Sequence, residues 1–288
     1  MTDLPHDVPA QQQPPPGTTR PMDPLPRDEM REYTGRGLLA GKRALITGGD
    51  SGIGRAVAVA FGKEGADVAI SFLADEERHD AEHTAALVRQ EGRACVLYQG
   101  DLADERFCAE LVGAAVRDLG GLDVLVNHAG TQFPHDDLGE ISTEELDRTF
   151  RTNVYPLFWV TRAALRHLPE GGAVINTGSV NGLRGHAGLI DYSASKAAAH
   201  VFTMSLAQNL AKRGIRVNCV APGPVWTPLI PATFEPERVE GFGGGTPMGR
   251  MAHPDEIAPS YVFFAAERLS SYYTGEVLAP TGGETFPG

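Results

Sequence analysis

From Lys42 onward, short apolar runs alternate along the chain with longer segments of helical periodicity. The predicted strands are Arg43–Thr47, Asp67–Ser71, Ala94–Gln99, Leu122–Asn127, Ala173–Thr177, Arg216–Val220 and Glu276–Ala279. The predicted helices are Gly52–Lys63, Asp75–Gln90, Asp104–Leu119, Thr143–His167, Tyr192–Arg213 and Pro254–Ala266. Several strand runs are apolar without alternation, which is typical of parallel strands covered on both faces. The pattern therefore predicts an α/β fold: a doubly wound, mostly parallel seven-stranded sheet with helices on both faces.

Residues 1–37 differ in composition from the rest of the chain. They contain the run Gln11-Gln-Gln-Pro-Pro-Pro16, further prolines and few large apolar side chains. Such a segment tends to be extended and does not form a core of its own. We expect a proline-rich N-terminal extension, either a disordered tail or an arm lying across a neighbouring subunit. Residues 38–288 are predicted to form a single domain.

A glycine-rich turn joins the first predicted strand to the first helix. Gly48, Gly52 and Gly54 permit a tight turn and let backbone N–H groups at the helix start approach a pyrophosphate. Ser51 and Ile53 lie in the same turn, and Arg55 is either a further phosphate contact or a solvated helix residue. The alternative is a turn that only connects strand and helix.

Further candidate binding residues follow the later strands. Ligands of such sheets bind beyond the carboxyl ends of the strands, so these positions are expected to meet in one crevice. The carboxylate that follows the third strand can accept from an adenine amino group, and small residues after the fourth leave room for a ribose. The proline-rich loop after the sixth strand either presents backbone groups to a nicotinamide or is only a turn. The candidate dinucleotide-binding residues are Gly48, Ser51, Gly52, Ile53, Gly54, Asp101, Leu102, Asn127, Ala129, Gly130, Tyr192, Lys196, Pro222, Gly223, Val225 and Thr227.

The choice between NAD and NADP depends on the end of the second strand. A carboxylate there binds the ribose 2′-hydroxyl, whereas an arginine accepts a 2′-phosphate. The chain has Ser71-Phe72-Leu73 at this place, and acids begin only at Asp75. We expect NAD or NADP, with a slight preference for NADP because no carboxylate stands at the strand tip.

Tyr192 and Lys196 have three residues between them, so they lie on one face of a helix. A nearby cation favours the phenolate and is expected to lower the pKa of the tyrosine toward the working range. Ser179 precedes Tyr192 by 13 positions (192 − 179). The alternatives are a packed tyrosine, a surface lysine and an ordinary strand-end serine.

In this order, Thr47–Gly54, Asp101, Asn127–Gly130, Asn153, Ser179, Tyr192 with Lys196, and Pro222-Gly223 resemble the short-chain dehydrogenase/reductase family. The resemblance is to its compact single-domain branch, covers the chain from about Leu38 onward, and implies a Rossmann-like fold and a catalytic role for residues 38–288. The glycine-rich run, the extension and the loop after the sixth strand also resemble bacterial stress-associated aldehyde reductases.

The resemblance implies roles for four residues. Tyr192 donates a proton to the carbonyl oxygen, Ser179 hydrogen-bonds the same oxygen, and Lys196 binds the nicotinamide ribose and lowers the tyrosine pKa. Asn153 holds a water that links Lys196 to solvent. The resemblance also implies a homotetramer packed through the helices that bear Asn153 and Tyr192.

The chain departs from the family pattern at three places. His128 stands where a second Asn is usual, Gly178 where another Ser is common, and Thr281 where Asp is frequent. His79 and His83 have the spacing of half a metal site, but the acids beside them favour a solvated helix face. No metal is expected.

The composition restricts the partners. With a net charge of −12, duplex nucleic acid is not expected, and no apolar run approaches the roughly 20 residues of a membrane span. Three widely spaced cysteines and an N-terminus without a signal pattern predict a cytoplasmic protein.

Together these features predict an NAD(P)-dependent oxidoreductase that transfers a hydride between nicotinamide and a small aldehyde, ketone or alcohol. Two alternatives are a catalytically silent NAD(P)-binding sensor and a nucleotide-sugar epimerase or dehydratase. Residues 228–251 are expected to form a lid, with an apolar wall from Phe234, Phe242, Met248 and Met251.

Overall fold

The computed structural model describes residues 8–285 and contains one seven-stranded sheet. Its strands are β1 (Arg43–Thr47), β2 (Asp67–Phe72), β3 (Cys95–Gln99), β4 (Val124–Asn127), β5 (Ala173–Thr177), β6 (Arg216–Val220) and β7 (Val277–Leu278). The order is β3-β2-β1-β4-β5-β6-β7, and neighbouring strands pair in parallel. The predicted doubly wound sheet is confirmed.

Helices connect the strands and cover both faces of the sheet. They are α1 (Gly52–Lys63), α2 (Arg78–Gln90), α3 (Glu105–Leu119), α4 (Thr143–Asn153), α5 (Tyr155–Ala164), α6 (Asn181–Arg184), α7 (Ile190–Leu210), α8 (Leu229–Thr233), α9 (Pro236–Glu240), α10 (Pro254–Ala265) and α11 (Glu267–Ser270). Short 3₁₀ turns at Asp75–Glu77, Leu138–Glu140 and Ala211–Arg213 complete the connections. Among the residues described, no helix is long and apolar enough to cross a membrane.

The central strands are apolar on both sides because both sides are covered. Ala44 and Ile46 of β1 pack in a core with α1, α2 and α10, whereas Leu45 between them packs in a second core with α3, α5 and α7. Burying one such aliphatic side chain contributes about 1.5–3 kcal/mol. Two continuous cores therefore cover the two faces of the sheet, and the parallel pairing brings the carboxyl ends of its strands to one edge.

The single long helix predicted over Thr143–His167 is wrong. The chain forms α4 and α5 with a break at Val154, whose backbone angles are φ −115° and ψ −53°. Pro156 lies in the first turn of α5, where its missing N–H leaves no hydrogen bond unmade. The break makes Asn153 the last residue of α4, which turns its side chain toward the interior.

Residues 8–36, here called the N-terminal strap, lie along the surface of the domain without helix or strand. Met22 and Met30 are buried, the indole Nε1 of Trp226 donates to the Pro24 carbonyl at 2.7 Å, and the Gln13 N–H donates to the Pro231 carbonyl at 2.9 Å. These contacts fasten the strap to its own chain, whereas the sequence indicated a disordered tail or an arm over a neighbour. The division into extension and domain stays a prediction.

Arg55 connects the strap to the core of the fold. Its Nη1 lies 3.0 Å from Oδ2 of Asp28 in the strap, and its Nη2 lies 2.7 Å from Oδ1 of Asp80 in α2. All three side chains are nearly inaccessible. Both interpretations of Arg55 were therefore wrong: it neither faces solvent nor lines the cleft described below, and it joins the strap to α1 and α2.

Candidate active site

A cleft of about 840 Å³ opens at the carboxyl ends of the strands. It brings together most of the residues that the sequence singled out. Those that line it are Gly48, Ser51, Gly52, Ile53, Asp101, Leu102, Ala129, Gly130, Ser179, Tyr192, Lys196, Pro222, Gly223, Val225 and Thr227. Gly54, Asn127 and Asn153 are not among its lining residues.

The glycine-rich turn forms a tight cradle at the start of α1. Gly52 has φ +51°, and a Cβ atom on it would lie 3.0 Å from Cγ2 of Thr227. A Cβ atom on Gly48 would lie 3.0 Å from the Ala129 Cα, so three loops approach one another closely here. Open N–H groups at a helix start and a cleft of this size fit a dinucleotide. Gly54 has an internal role, because a Cβ there would lie 1.9 Å from the Gly48 carbonyl oxygen.

The side chains of two predicted binding residues form hydrogen bonds with other residues of the chain. The carboxylate of Asp101 accepts from Arg148 Nη1 and from the Ala103 N–H, both at 2.8 Å. Asn127 turns its amide away from the cleft and donates to Thr161 and Asn176 at 3.0 and 2.9 Å. The side chain of Asn127 therefore braces the neighbouring strand and helix.

Glu77 is a cleft residue that sequence reasoning missed. The 3₁₀ turn after β2 folds back, so that Oε2 of Glu77 accepts from the Leu73 and Ala74 N–H groups at 2.7 and 3.0 Å. Glu77 lines the cleft together with Asp50, whose pKa is raised to about 7 by burial and by the Glu77 charge. The sequence interpretation that no carboxylate stands at the tip of β2 is thus wrong. The capping position of a glutamate three residues after Ala74 was the available signal.

Ser179, Tyr192 and Lys196 meet in the middle of the cleft. Ser179 follows β5, while Tyr192 and Lys196 lie one turn apart on α7. Ser179 and Tyr192 both line the cleft, and the Ser179 Oγ accepts from the Asn181 N–H at 3.1 Å. Lys196 Nζ lies 5.7 Å from the centroid of the Tyr192 ring and donates to the Thr177 carbonyl at 3.0 Å. The hydroxyl groups of Ser179 and Tyr192 and the ammonium of Lys196 thus lie on the same wall of the cleft.

The pKa values of this group differ from the expectation. Burial raises the pKa of Tyr192, and the neighbouring Ser179 side chain offsets only part of that effect. Burial also lowers the pKa of Lys196 to about 8. The expected lowering of the Tyr192 pKa by Lys196 is therefore wrong, because burial raises that pKa instead. At neutral pH the phenol holds its proton and the ammonium remains charged.

Asn153 stands behind this group rather than in the cleft. Its amide exchanges two 2.8 Å hydrogen bonds with the backbone of Thr131, and its Nδ2 donates to Ser195 Oγ at 3.0 Å. A Cβ atom on Gly130 would lie 3.2 Å both from Oδ1 of Asn153 and from Nζ of Lys196. The absence of a side chain on Gly130 leaves a gap in which the two polar groups approach each other.

Two histidines flank the site, and both are neutral at pH 7. His128 Nδ1 lies 3.2 Å from Thr177 Oγ1, and burial followed by the Lys196 charge lowers its pKa to about 3. His200, which sequence reasoning missed, accepts from the Ser179 N–H at 3.4 Å, and the same two causes lower its pKa to about 4. His83 pairs with Glu29 of the strap at 2.9 Å. Residues 8–285 contain no group of three His, Cys, Asp or Glu side chains arranged to hold a metal ion.

The far end of the cleft combines aromatic and charged side chains. Phe234 and Phe242 line it, with ring centroids 5.5 Å apart. Met248 and Met251 do not belong to this wall, contrary to the sequence prediction: Met248 is 59% exposed and Met251 is buried in a core behind it. The polar residues at this end are Asn181, Arg184, His186, Arg238 and Glu284.

Known proteins share both the sequence and this architecture. A family model described as enoyl-(acyl carrier protein) reductase matches residues 48–285. General stress protein 39 of Bacillus subtilis is 51% identical over 284 residues, with 98% of each chain covered. NADPH-dependent aldehyde reductase 1, chloroplastic, of Arabidopsis thaliana is 45% identical over 272 residues, covering 93% of this chain and 94% of that protein.

A solved structure has the same fold. A short-chain dehydrogenase from Burkholderia cenocepacia, crystallised in complex with NADP, superposes with a TM-score of 0.79 at 34% identity, covering 85% of this chain and 98% of that one. The chain belongs to the short-chain dehydrogenase/reductase family. The resemblance stated from the motifs is confirmed, and the protein is an NAD(P)-dependent oxidoreductase.

Proposed function

We propose that this short-chain dehydrogenase/reductase reduces small aldehydes or ketones, and oxidises the matching alcohols, with Tyr192 as general acid and base. The observation that supports this proposal is the meeting of Tyr192, Ser179 and Lys196 on one wall of the dinucleotide-sized cleft. A carbonyl oxygen bound between the hydroxyl groups of Ser179 and Tyr192 can accept from both at once. Charge that develops on that oxygen in the transition state is stabilised there.

The cradle at Gly48, Gly52 and Thr227 fits the phosphates of a nicotinamide dinucleotide, which supplies or takes up the hydride when it is bound. In reduction, Tyr192 donates its proton to the substrate oxygen and Ser179 hydrogen-bonds the same atom. In oxidation the phenolate accepts the alcohol proton.

Lys196 and Asn153 serve the proton supply in this proposal. The Lys196 ammonium is held at the Thr177 carbonyl and lies beside the phenol, so it stabilises the phenolate left by proton donation. Asn153 fixes the Thr131 backbone and faces Lys196 across Gly130. A water in that gap would bridge the amide and the ammonium and carry protons from solvent.

Tyr192→Phe tests the proposed acid. The variant retains the ring and loses the phenol oxygen, so we expect turnover to fall by about 10²–10⁴-fold. NADPH affinity, followed by fluorescence titration, should change little. Tyr272→Phe is the matched control, because Tyr272 is 98% exposed. Unchanged turnover in Tyr192→Phe would discard Tyr192 as the acid. A wild-type protein that binds NADPH but reduces no aldehyde or ketone would favour the silent sensor.

We propose NAD or NADP as cofactor, with a slight preference for NADP. The relative from Arabidopsis thaliana carries NADPH in its name, and the Burkholderia cenocepacia structure holds NADP. Glu77 at the tip of β2 acts in the opposite direction, because its carboxylate repels a 2′-phosphate. Paired kcat/KM values for NADPH and NADH test the preference, and a ratio below one would reverse it.

We also propose a homotetramer packed through α5 and α7. Phe158, Val201 and Met204 on these helices are 52%, 61% and 43% exposed in the single chain. Large apolar side chains that are exposed side by side mark contact surfaces. Light scattering should report four times the chain mass at micromolar concentration, and a monomer would refute the assembly.

A further inference from the structure

Arg238 lies on the cleft wall next to the helix that carries Tyr192. Its guanidinium carbon is 4.7 Å from the centroid of the Phe234 ring. Its Nη2 lies 2.9 Å from the point that a Cβ atom on Gly188 would occupy. Gly188 comes just before α7, four positions ahead of Tyr192. The guanidinium is thus held over an aromatic ring and a bare backbone segment, at the substrate end of the cleft.

The charge of Arg238 is not compensated by a neighbour. Within residues 8–285 no carboxylate lies within 4.0 Å of its guanidinium, whereas the nearby Arg184 pairs with Glu284 at 2.5 Å. Acidic residues on its own segment, Glu237 and Glu240, are exposed to solvent. The imidazole of His186, another cleft residue, has its pKa lowered by burial and then by Arg238 and Arg184. One positive charge therefore remains at this end of the cleft.

A half-buried cation without a counter-ion loses hydration free energy, and an anionic ligand restores it. The planar guanidinium presents a fork of N–H donors that matches a carboxylate or phosphate group. Its cation–π contact with Phe234 fixes the side chain before a ligand arrives, which reduces the entropy lost on binding.

We infer that the carbonyl substrate carries an anionic group, a carboxylate or a phosphate, which Arg238 binds while the carbonyl lies at Tyr192. The inference rests on the proposed function, since it assigns the substrate class of the same site. Phe234 and Phe242 line the cleft beside Arg238 and offer an apolar wall to the carbon chain of such a substrate. Gly188 lacks the side chain that would displace the guanidinium.

Matched pairs of aldehydes test this inference. We expect kcat/KM at least about tenfold higher for 4-oxobutanoate than for butanal, or for glyceraldehyde 3-phosphate than for glyceraldehyde. The first pair reports a carboxylate and the second a phosphate. Arg238→Met should reduce the anionic-to-neutral ratio about tenfold and leave kcat/KM for the neutral aldehyde within about threefold. Arg238→Lys should retain part of the preference, and Arg268→Met, an exposed control outside the cleft, should retain all of it.

Several results would overturn the inference. One is that the anionic and the neutral aldehyde of each pair have equal kcat/KM. If Tyr192→Phe still abolishes the turnover of these aldehydes, the proposed function stands and only the anion site fails. A second such result concerns the cofactor in Arg238→Met. If the NADPH dissociation constant rises by the same factor by which the anionic-to-neutral ratio falls, Arg238 binds the nucleotide and not the substrate. If no aldehyde is reduced at all, the proposed function fails. Succinate binding to the NADP-loaded protein then decides the anion site: a tenfold weaker affinity in Arg238→Met supports it, and an equal affinity overturns it.

Discussion

A Cβ atom on Gly178 would lie 2.1 Å from Nε2 of His200. The imidazole occupies the space that a side chain at position 178 would need, and the same nitrogen accepts from the N–H of Ser179. The absence of a side chain at Gly178 therefore leaves the room that the His200 ring fills. The departure from the family at position 178, where serine is common, follows from the presence of His200 on α7.

Gly178→Ser should be destabilising because the new side chain meets the His200 ring. We expect a loss of about 1–3 kcal/mol in the free energy of unfolding, the usual cost of overpacking, with a lower kcat because Ser179 is displaced. Urea denaturation measures the first effect. Adding His200→Ala should recover part of the loss, because the Cys219 Sγ at 2.9 Å still opposes the new side chain, and Gly113→Ser, at an exposed helix position with open space, is the control. A Gly178→Ser protein as stable as the wild type would contradict the packing described.

Arg55→Met should unfold the protein more easily without acting on the nucleotide directly. It leaves the buried Asp28 and Asp80 without their cation, and breaking a buried pair in this way costs about 3–5 kcal/mol. Arg106→Met removes an exposed pair with Glu110 and should cost less than about 1 kcal/mol. Thermal and urea unfolding compare the two. Equal free energies of unfolding for the two variants would show that the buried contact of Arg55 with Asp28 and Asp80 does not stabilise the fold.

The reductase activity should fall on the alkaline side. The ammonium of Lys196 has a pKa of about 8, so its charge is complete below that pH and is lost as the pH rises through it. The Tyr192 pKa is raised, so the acid form persists through neutral pH. For Tyr192 and Lys196 we expect a nearly constant kcat/KM for the carbonyl between about pH 6 and 7.5, followed by a decline of roughly tenfold per unit above 8, and any change near pH 7 would report Asp50. His128 and His200 have pKa values of about 3 and 4, so they add no acid limb above pH 5. An activity that increases from pH 8 to 10 would contradict this assignment.

Glu77→Gln should move the cofactor preference toward NADP. The amide keeps an oxygen for the Leu73 and Ala74 N–H groups but loses the negative charge at the tip of β2, where the proposed cofactor's ribose is expected. Removing roughly 1 kcal/mol of repulsion raises the NADPH-to-NADH ratio of kcat/KM about fivefold. Glu76→Gln is the matched control, since Glu76 is exposed and does not line the cleft. An equal NADPH-to-NADH ratio of kcat/KM in Glu77→Gln and Glu76→Gln would place the 2′-position of the cofactor's ribose away from Glu77.

The strands and most of the site could be predicted from the sequence because their signals are local. Unalternated apolar runs follow from burial on both faces, and the glycine turn and the Tyr192–Lys196 spacing each lie within one loop or helix turn. The break at Val154 also had a local signal in Pro156, but the apolar periodicity continues across it and hides the break.

Contacts between distant residues were not predictable in this way. Arg55 finds its partners 27 and 25 positions away, in Asp28 and Asp80. Glu77 reaches the tip of β2 only because a short turn reverses the chain. The pKa of Tyr192 depends on its burial, which no spacing reveals. The cytoplasmic location, the assembly and the site roles stay predictions.

The strap has a consequence for biosynthesis. Three of its partners, Trp226, Pro231 and Asp255, are translated some two hundred residues after the residues they contact. The contacts with these three residues therefore form only after most of the domain has been made, whereas the contacts with Arg55, Asp80 and His83 can form earlier. The strap can therefore be fastened in two steps during synthesis, and a chain that stops before Trp226 lacks the later contacts while keeping the earlier ones.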